Sequence, residues 1–449
     1  MPVKKYILLI LLVLIQSGYC PAQGLTSVKH PAWSYNLSIY EVNTRQYTPA
    51  GTFKAFDSHV KELKELGVGI VWFMPINPIG EKNRKGSLGS YYSVKNYKEV
   101  NPEFGTIEDF KETVKLIHSM GMYVIIDWVA NHTAWDNVWV KEHPDFYTKD
   151  SLGNFVPPVA DWTDVIDLNY DNKELWKDMI DAMKFWVEEC DIDGFRCDVA
   201  GMVPLDFWKE ARTELDKIKD VFMLAEAEGP ELHRAFDMTY SWELLHLLNN
   251  VAQGKKSVQA VRDYFERENN HYPPDAYRMR FTTNHDENAW NGTEFERLGD
   301  AAETFDVFTC VIPGMPLVYS GQETGLNKRL KFFEKDTIQW GESNYGILYA
   351  RLLNEKVNTP ALWNGMRGGD MIPVKSSNEK VIAFVRESDS SKVYAIFNLS
   401  DKKVRSQLES SLIPGEYINL FSGKKFRIKS KEWLELQPWQ YRVLVADKK

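Results

Sequence analysis

The sequence predicts an α/β architecture: a closed (β/α)₈ barrel of parallel strands ringed by helices, with a short inserted loop domain after the third strand and a C-terminal antiparallel β-sandwich. Three observations carry this reading. Near-continuous apolar runs alternate with amphipathic stretches from Ser38 onward, which is the pattern of strands buried on both faces between helices. Eight such runs fit a closed barrel, whereas an open doubly wound sheet would want a glycine-rich phosphate fingerprint after its first strand, and none is there. From about Gly369 the helical stripe stops, and β-rich runs separated by turn residues take over.

Each element follows from its own pattern. The expected barrel strands are 38–42, 69–74 (GIVWFM), 122–127 (MYVIID), 192–198, 221–226, 237–240, 280–283 and 316–320. Between the first two, Phe53, Phe56, Val60, Leu63 and Leu66 recur at helical spacing. Thr106 with Asp109 three residues on predicts a capped helix whose stripe is Ile107, Phe110, Val114 and Ile117, and Gly121 ends it. Further helices are expected at 173–189 and 205–218. Residues 132–172 are too many for an ordinary βα loop and predict a small excursion over the barrel mouth. The domains are therefore a leader over 1–23, a barrel over 24–368 with its insertion at 132–172, and a β domain over 369–449.

Composition sets the outer limits. With 449 residues, 44% hydrophobic and 26% charged, the chain can bury a large core and is too apolar to be disordered. The net charge of −9 comes without a long basic run, which excludes nucleic acid as a partner. Lys4 and Lys5 precede an apolar run from Tyr6 to Ile15, short for a membrane span and typical of an export signal; the mature chain would be secreted or periplasmic. A lipid anchor at Cys20 is the alternative, but the bulky Tyr19 precedes it. No later stretch is long and apolar enough to span a bilayer. Cys190, Cys197 and Cys310 lack the short paired spacings of a zinc site and read as buried thiols. The 15 Trp, 21 Tyr and 23 Phe exceed what a core needs, and Trp128, Trp135, Trp139 and Trp162 cluster around the long loop. Two of these four are expected to face a ligand.

In a barrel of this kind, reacting groups sit where strands end. Those ends supply Asp127, Asp198, Glu226 and Asp286, with His132, His285 and Arg196 nearby. Any one acidic strand end is as well explained as a helix cap; four together are not. Arg196 and Asp198 lie two apart on one strand, on the same face, so the guanidinium is expected to hold Asp198 ionised as a nucleophile. Glu226 ends the apolar run 221–225, where desolvation should keep it protonated as a general acid. An acid facing a carboxylate is what cleavage of a glycosidic bond requires. Asp286 offers a third carboxylate to favour positive charge at the anomeric carbon.

The stretches 127–132 (DWVANH), 194–198 (GFRCD), Glu226 at its strand end and 281–286 (FTTNHD) resemble, in order and spacing, the signature regions of the α-amylase family of retaining glycoside hydrolases, and 165–169 (VIDLN) is similar to a fifth. The resemblance implies Asp198 as nucleophile, Glu226 as acid/base and Asp286 as transition-state stabiliser. It implies Arg196, His132 and His285 as ligands of the sugar at the cleavage point, Tyr92 as the tyrosine stacked beneath it, and Asp127 as a supporting carboxylate. The implied substrate is an α-glucan or malto-oligosaccharide cut mainly at α-1,4 bonds. The alternatives are an α-1,6-, pullulan- or cyclodextrin-acting hydrolase or a glucanotransferase, or a glycan-binding protein without the chemistry. A structural calcium held by Asn131 and Asp167 is implied, and no organic cofactor. Gly201 and Met202 stand where the family often has Lys-His, Ser90-Tyr91 where a His-Gly pair commonly precedes the tyrosine, and Val199 follows the nucleophile as in many α-1,6-acting members.

Overall fold

The computed structural model describes residues 27–388 and 390–446; the leader and Cys20 lie outside the described residues. Eight parallel strands close into a barrel: β1 (Ile39–Val42), β2 (Ile70–Phe73), β3 (Tyr123–Trp128), β4 (Gly194–Cys197), β5 (Phe222–Ala225), β6 (Met238–Thr239), β7 (Tyr277–Arg280) and β8 (Met315–Tyr319). They pair in sequence order around the ring, and β8 closes against β1 through Ile39↔Leu317. Ile39, Ile70, Trp72, Ile125, Phe222, Leu224, Met279 and Leu317 fill the interior, all at most 3% exposed, so the barrel is a packed core rather than a pore.

The outer helices form as their stripes dictate. Thr106 and Asp109 make a reciprocal capping box at the start of the helix Ile107–Ser119, satisfying two otherwise orphaned N–H groups. The residues that recur at helical spacing from Phe53 to Leu66 lie on two helices, Phe53–Asp57 and Val60–Leu66. The break falls at Ser58-His59, where His59 turns its ring onto the Trp340 face.

The seventh strand lies three residues earlier than the sequence suggests. Its YRMR run carries two arginines, which argue against a buried strand until their partner is seen. Tyr277 and Met279 point into the barrel, while Arg278 and Arg280 point outward onto Glu268 of the helix Val258–His271, at 3.0 Å and 2.5 Å. Residues 281–283 are thereby released from the strand and become the start of the loop that carries His285 and Asp286.

After β3 the chain makes the excursion, tied at its base by an antiparallel pairing of His132–Ala134 with Val165–Asp167. The C-terminal part is a six-stranded antiparallel sheet facing a three-stranded one, beginning at Ile372. Arg386 fastens it to the barrel by donating to the carbonyls of Val311 (3.2 Å) and Ile312 (3.0 Å). Cys190, Cys197 and Cys310 are free and buried. Among the described residues no helix is long and apolar enough to cross a membrane.

Candidate active site

Strand termini β3, β4, β5 and β7 converge at one end of the barrel around a single guanidinium. Arg196, completely buried on β4, donates from Nη1 to Asp127 Oδ1 and Asp198 Oδ1, each at 2.9 Å, and from Nε to Tyr240 Oη at 3.2 Å. Its Nη2 lies 2.9 Å from Glu226 Oε1. One fully buried cation thus touches three carboxylates, of which Asp198 and Glu226 border the cleft, and contacts at such depth are stronger than in bulk water.

Charge and burial separate the carboxyls. Burial pushes Glu226 up to about 8; Asp198 and Asp286 add to this, while Arg196 and the Val199 N–H, which donates to Oε2 at 2.8 Å, oppose it. Asp198 moves the other way from the sequence expectation. Burial outweighs the guanidinium, and its pKa rises to about 6, because the strand end that places it beside Arg196 also removes it from solvent and sets it near Asp127. At neutral pH Asp198 is still ionised and Glu226 still holds its proton.

A second relay starts at β1. His285 Nδ1 is hydrogen-bonded to Glu41, and its Nε2 meets Tyr92 Oη at 2.7 Å and Asp286 Oδ2 at 3.2 Å. Burial opposes a charged imidazole, but Asp286 and Glu41 outweigh it and raise His285 to about 9. The cationic ring therefore donates to Tyr92, and Tyr92 donates to Asp127 Oδ2 at 3.1 Å, where Trp72 Nε1 also donates at 3.2 Å. His132 behaves oppositely: burial alone lowers it to about 3. Its Nδ1 accepts from Asn131 Nδ2 at 3.2 Å, which leaves the proton on Nε2.

Asp198, Glu226, Asp286, Tyr92, His132 and His285 all line one cleft of about 590 Å³, with Arg196 and Asp127 directly beneath. The expectation for the tryptophans is corrected. Only Trp162 of the four lines the cleft; Trp128 is fully buried, Trp139 packs on Tyr97 and Phe146, and Trp135 donates to the Thr163 carbonyl. Trp290 and Phe332 supply the other aromatic surface. Sequence reasoning also missed Glu41, Trp72 and Tyr240. Glu41 had a signal, since a lone carboxylate inside the buried run IYEV needs a partner.

For calcium, Asp167 is a partly buried carboxylate whose pKa burial raises, and no cation among the described residues pairs with it. It sits across the hairpin from His132, beside Asn131. Among the described residues no group of three or more acidic, His or Cys side chains is placed to hold a metal ion; calcium takes six to eight oxygens, so at Asn131 and Asp167 most would have to come from backbone carbonyls and water.

A parallel barrel that gathers a protonated and an ionised carboxyl at its strand ends, in an aromatic-lined cleft, defines a glycoside hydrolase. The family model for the alpha amylase catalytic domain matches residues 34–157 and 159–407, and that for the maltogenic amylase C-terminal domain matches 372–443. The chain belongs to the alpha-amylase family. It is similar to the crystal structure of a noncanonic maltogenic alpha-amylase, AmyB, from Thermotoga neapolitana (33% identity, 92% of this chain and 98% of that one, TM-score 0.85). An alpha-amylase from Lactobacillus plantarum is similar too (32%, 92% and 99%, TM-score 0.83). Alpha-amylase MalA of Haloarcula japonica is 24% identical over 86% of this chain, which spans only 59% of that protein's length.

Proposed function

We propose that the chain is a retaining α-glucan hydrolase that cuts mainly α-1,4 bonds of starch, glycogen or malto-oligosaccharides. The observation that carries this reading is the shared guanidinium: Arg196 contacts both Asp198 and Glu226, yet only Glu226 is pushed up to about 8. In the first step the Asp198 carboxylate attacks the anomeric carbon while Glu226 gives its proton to the departing glycosidic oxygen. The sugar is then esterified to Asp198. In the second step Glu226, now a carboxylate, takes a proton from water as that water attacks the same carbon, and Asp198 leaves. Asp286 and His132 border the sugar, and Asp286 favours the positive charge that develops at carbon.

The names of the similar proteins support this, as maltogenic alpha-amylases and alpha-amylases are among them. A transferring variant of the same chemistry is the second reading, supported by similarity to an alpha-1,4-glucan:maltose-1-phosphate maltosyltransferase of Picrophilus torridus (24% identity). The test is the anomer first released from maltoheptaose. Retention gives the α-anomer, and first release of the β-anomer refutes it. Asp198→Asn should abolish reducing-end release while leaving binding intact.

Two accessory points belong to the proposal. Export through the 1–23 leader would place the enzyme outside the cytoplasm, and the N-terminus of the mature protein tests it. Calcium at Asn131 and Asp167 would brace the excursion without entering the chemistry, and a melting temperature unmoved by chelator would remove it.

A further inference from the structure

Segment 80–90, in the long connection from β2 to the helix Ile107–Ser119, is strapped on both flanks. On one side Lys85 Nζ lies 2.9 Å from Asp164 Oδ1 and donates to the Asp161 carbonyl at 2.9 Å, which ties it to the excursion. The Asp164 side chain is only 8% exposed and that of Lys85 34%. On the other side the Ser87 N–H donates to Glu334 Oε1 at 2.8 Å and the Leu88 N–H to the Phe333 carbonyl at 3.1 Å, which ties it to the loop after β8. Gly86 has φ +64°, and a Cβ there would stand 2.5 Å from Phe333 Cβ, so only glycine permits the approach.

Barrel order places this strap relative to the chemistry. The loops it joins follow β2, β3 and β8; β2 and β8 flank β1, which stands across the ring from β5, the strand that Glu226 ends, while β3 adjoins β4, which Asp198 follows. A general acid must reach the glycosidic oxygen, on the leaving-group side of the sugar being cleaved. The strap, opposite Glu226, therefore faces the glycone side. Along that side Tyr92 and Phe332 lie nearly parallel, 6.2 Å apart at 14°. The Lys85 ammonium donates to the Asp161 carbonyl and is ion-paired with Asp164; an ammonium has three donors, which leaves it one for the cleft that Lys85 lines.

We propose that this strap closes the glycone end of the cleft and that Lys85 hydrogen-bonds the terminal hydroxyls of the non-reducing glucose, so that the enzyme works inward from chain ends and releases short products. The proposal rests on the α-glucan reading above. Asp164 is its positioning residue, fixing where the ammonium stands.

The test compares wild type, Lys85→Met and Asp164→Asn on maltoheptaose and on maltoheptaose capped at its non-reducing end with a 4,6-O-acetal. The wild type should cleave the free oligosaccharide at least ~10-fold faster than the capped one. Lys85→Met, at a partly exposed side chain, should narrow that ratio by roughly 10-fold, the worth of one charged hydrogen bond. It should do so by raising KM for the free substrate with kcat retained, and the products should lengthen. Asp164→Asn should move the same way by a smaller factor. Equal cleavage of both substrates by the wild type overturns this proposal and leaves α-glucan hydrolysis standing; an unchanged ratio in both variants overturns the role of Lys85. Cleavage of neither substrate by the wild type removes the underlying function, and this proposal with it.

Discussion

Glu268 offers the sharpest test of how the β7 loop is held. Its carboxylate is 8% exposed and meets Arg278 at 3.0 Å, Arg280 at 2.5 Å and the Tyr264 hydroxyl at 2.6 Å. Burial opposes its ionisation, but the two guanidinium groups and their hydrogen bonds outweigh it and lower its pKa to about 2 from an ordinary 4.5. A group depressed in the folded state stabilises above its unfolded pKa and loses that stabilisation as pH falls through its folded one. The contribution is therefore full at pH 7, about 3 kcal/mol at 1.36 kcal/mol per unit. By pH 3 the unfolded chain has taken up its proton while most of the folded chain has not, and only about 1 to 1.5 kcal/mol remains. Glu268→Gln should accordingly destabilise the barrel by ~3 kcal/mol or somewhat more at pH 7, since two arginines are left buried against a neutral amide. The gap to wild type should shrink by about 2 kcal/mol at pH 3. Urea unfolding followed by near-ultraviolet circular dichroism reads both values. A gap that is the same at both pH values, or a loss below ~1 kcal/mol at pH 7, would refute the argument.

Other predictions follow from the carboxyl network. The pH profile of kcat/KM should be a bell whose acid limb, near 6, reports protonation of Asp198 and whose alkaline limb, near 8, reports loss of the Glu226 proton. Glu226→Gln should erase the alkaline limb and cost roughly 10²- to 10⁴-fold in kcat; a retained limb would assign it elsewhere. Glu41→Gln removes one of the two carboxylates that hold His285 charged, so the His285 ring should titrate at least ~1 unit lower by proton NMR. Trp162→Ala should raise KM for maltoheptaose by roughly 3- to 10-fold with kcat little changed, the worth of one stacking contact.

The barrel was legible because its strands are buried on both faces and its helices on one, so the apolar periods differ; Asp127, Asp198 and Glu226 were legible because they stand at strand ends, whereas Asp286 sits six residues beyond Arg280 in the loop. The parts that escaped share a different physics. Glu268 lies in the last turn of its helix and Arg278 and Arg280 on a four-residue strand, and nothing local says that they meet: their burial is tolerable only because the fold brings opposite charges together across a helix–strand interface. Asp198 is the same lesson in reverse. The two-residue spacing to Arg196 correctly implied contact, but a spacing has no dielectric, and the depth that raises the pKa of Asp198 is a property of the closed ring. The Lys85 strap depends on three loops that are far apart in sequence, with Asp164 and Glu334 on either flank. Strand-end chemistry is therefore readable from local pattern, whereas the proposed closure of the glycone end is set by long-range pairs that no local pattern reports.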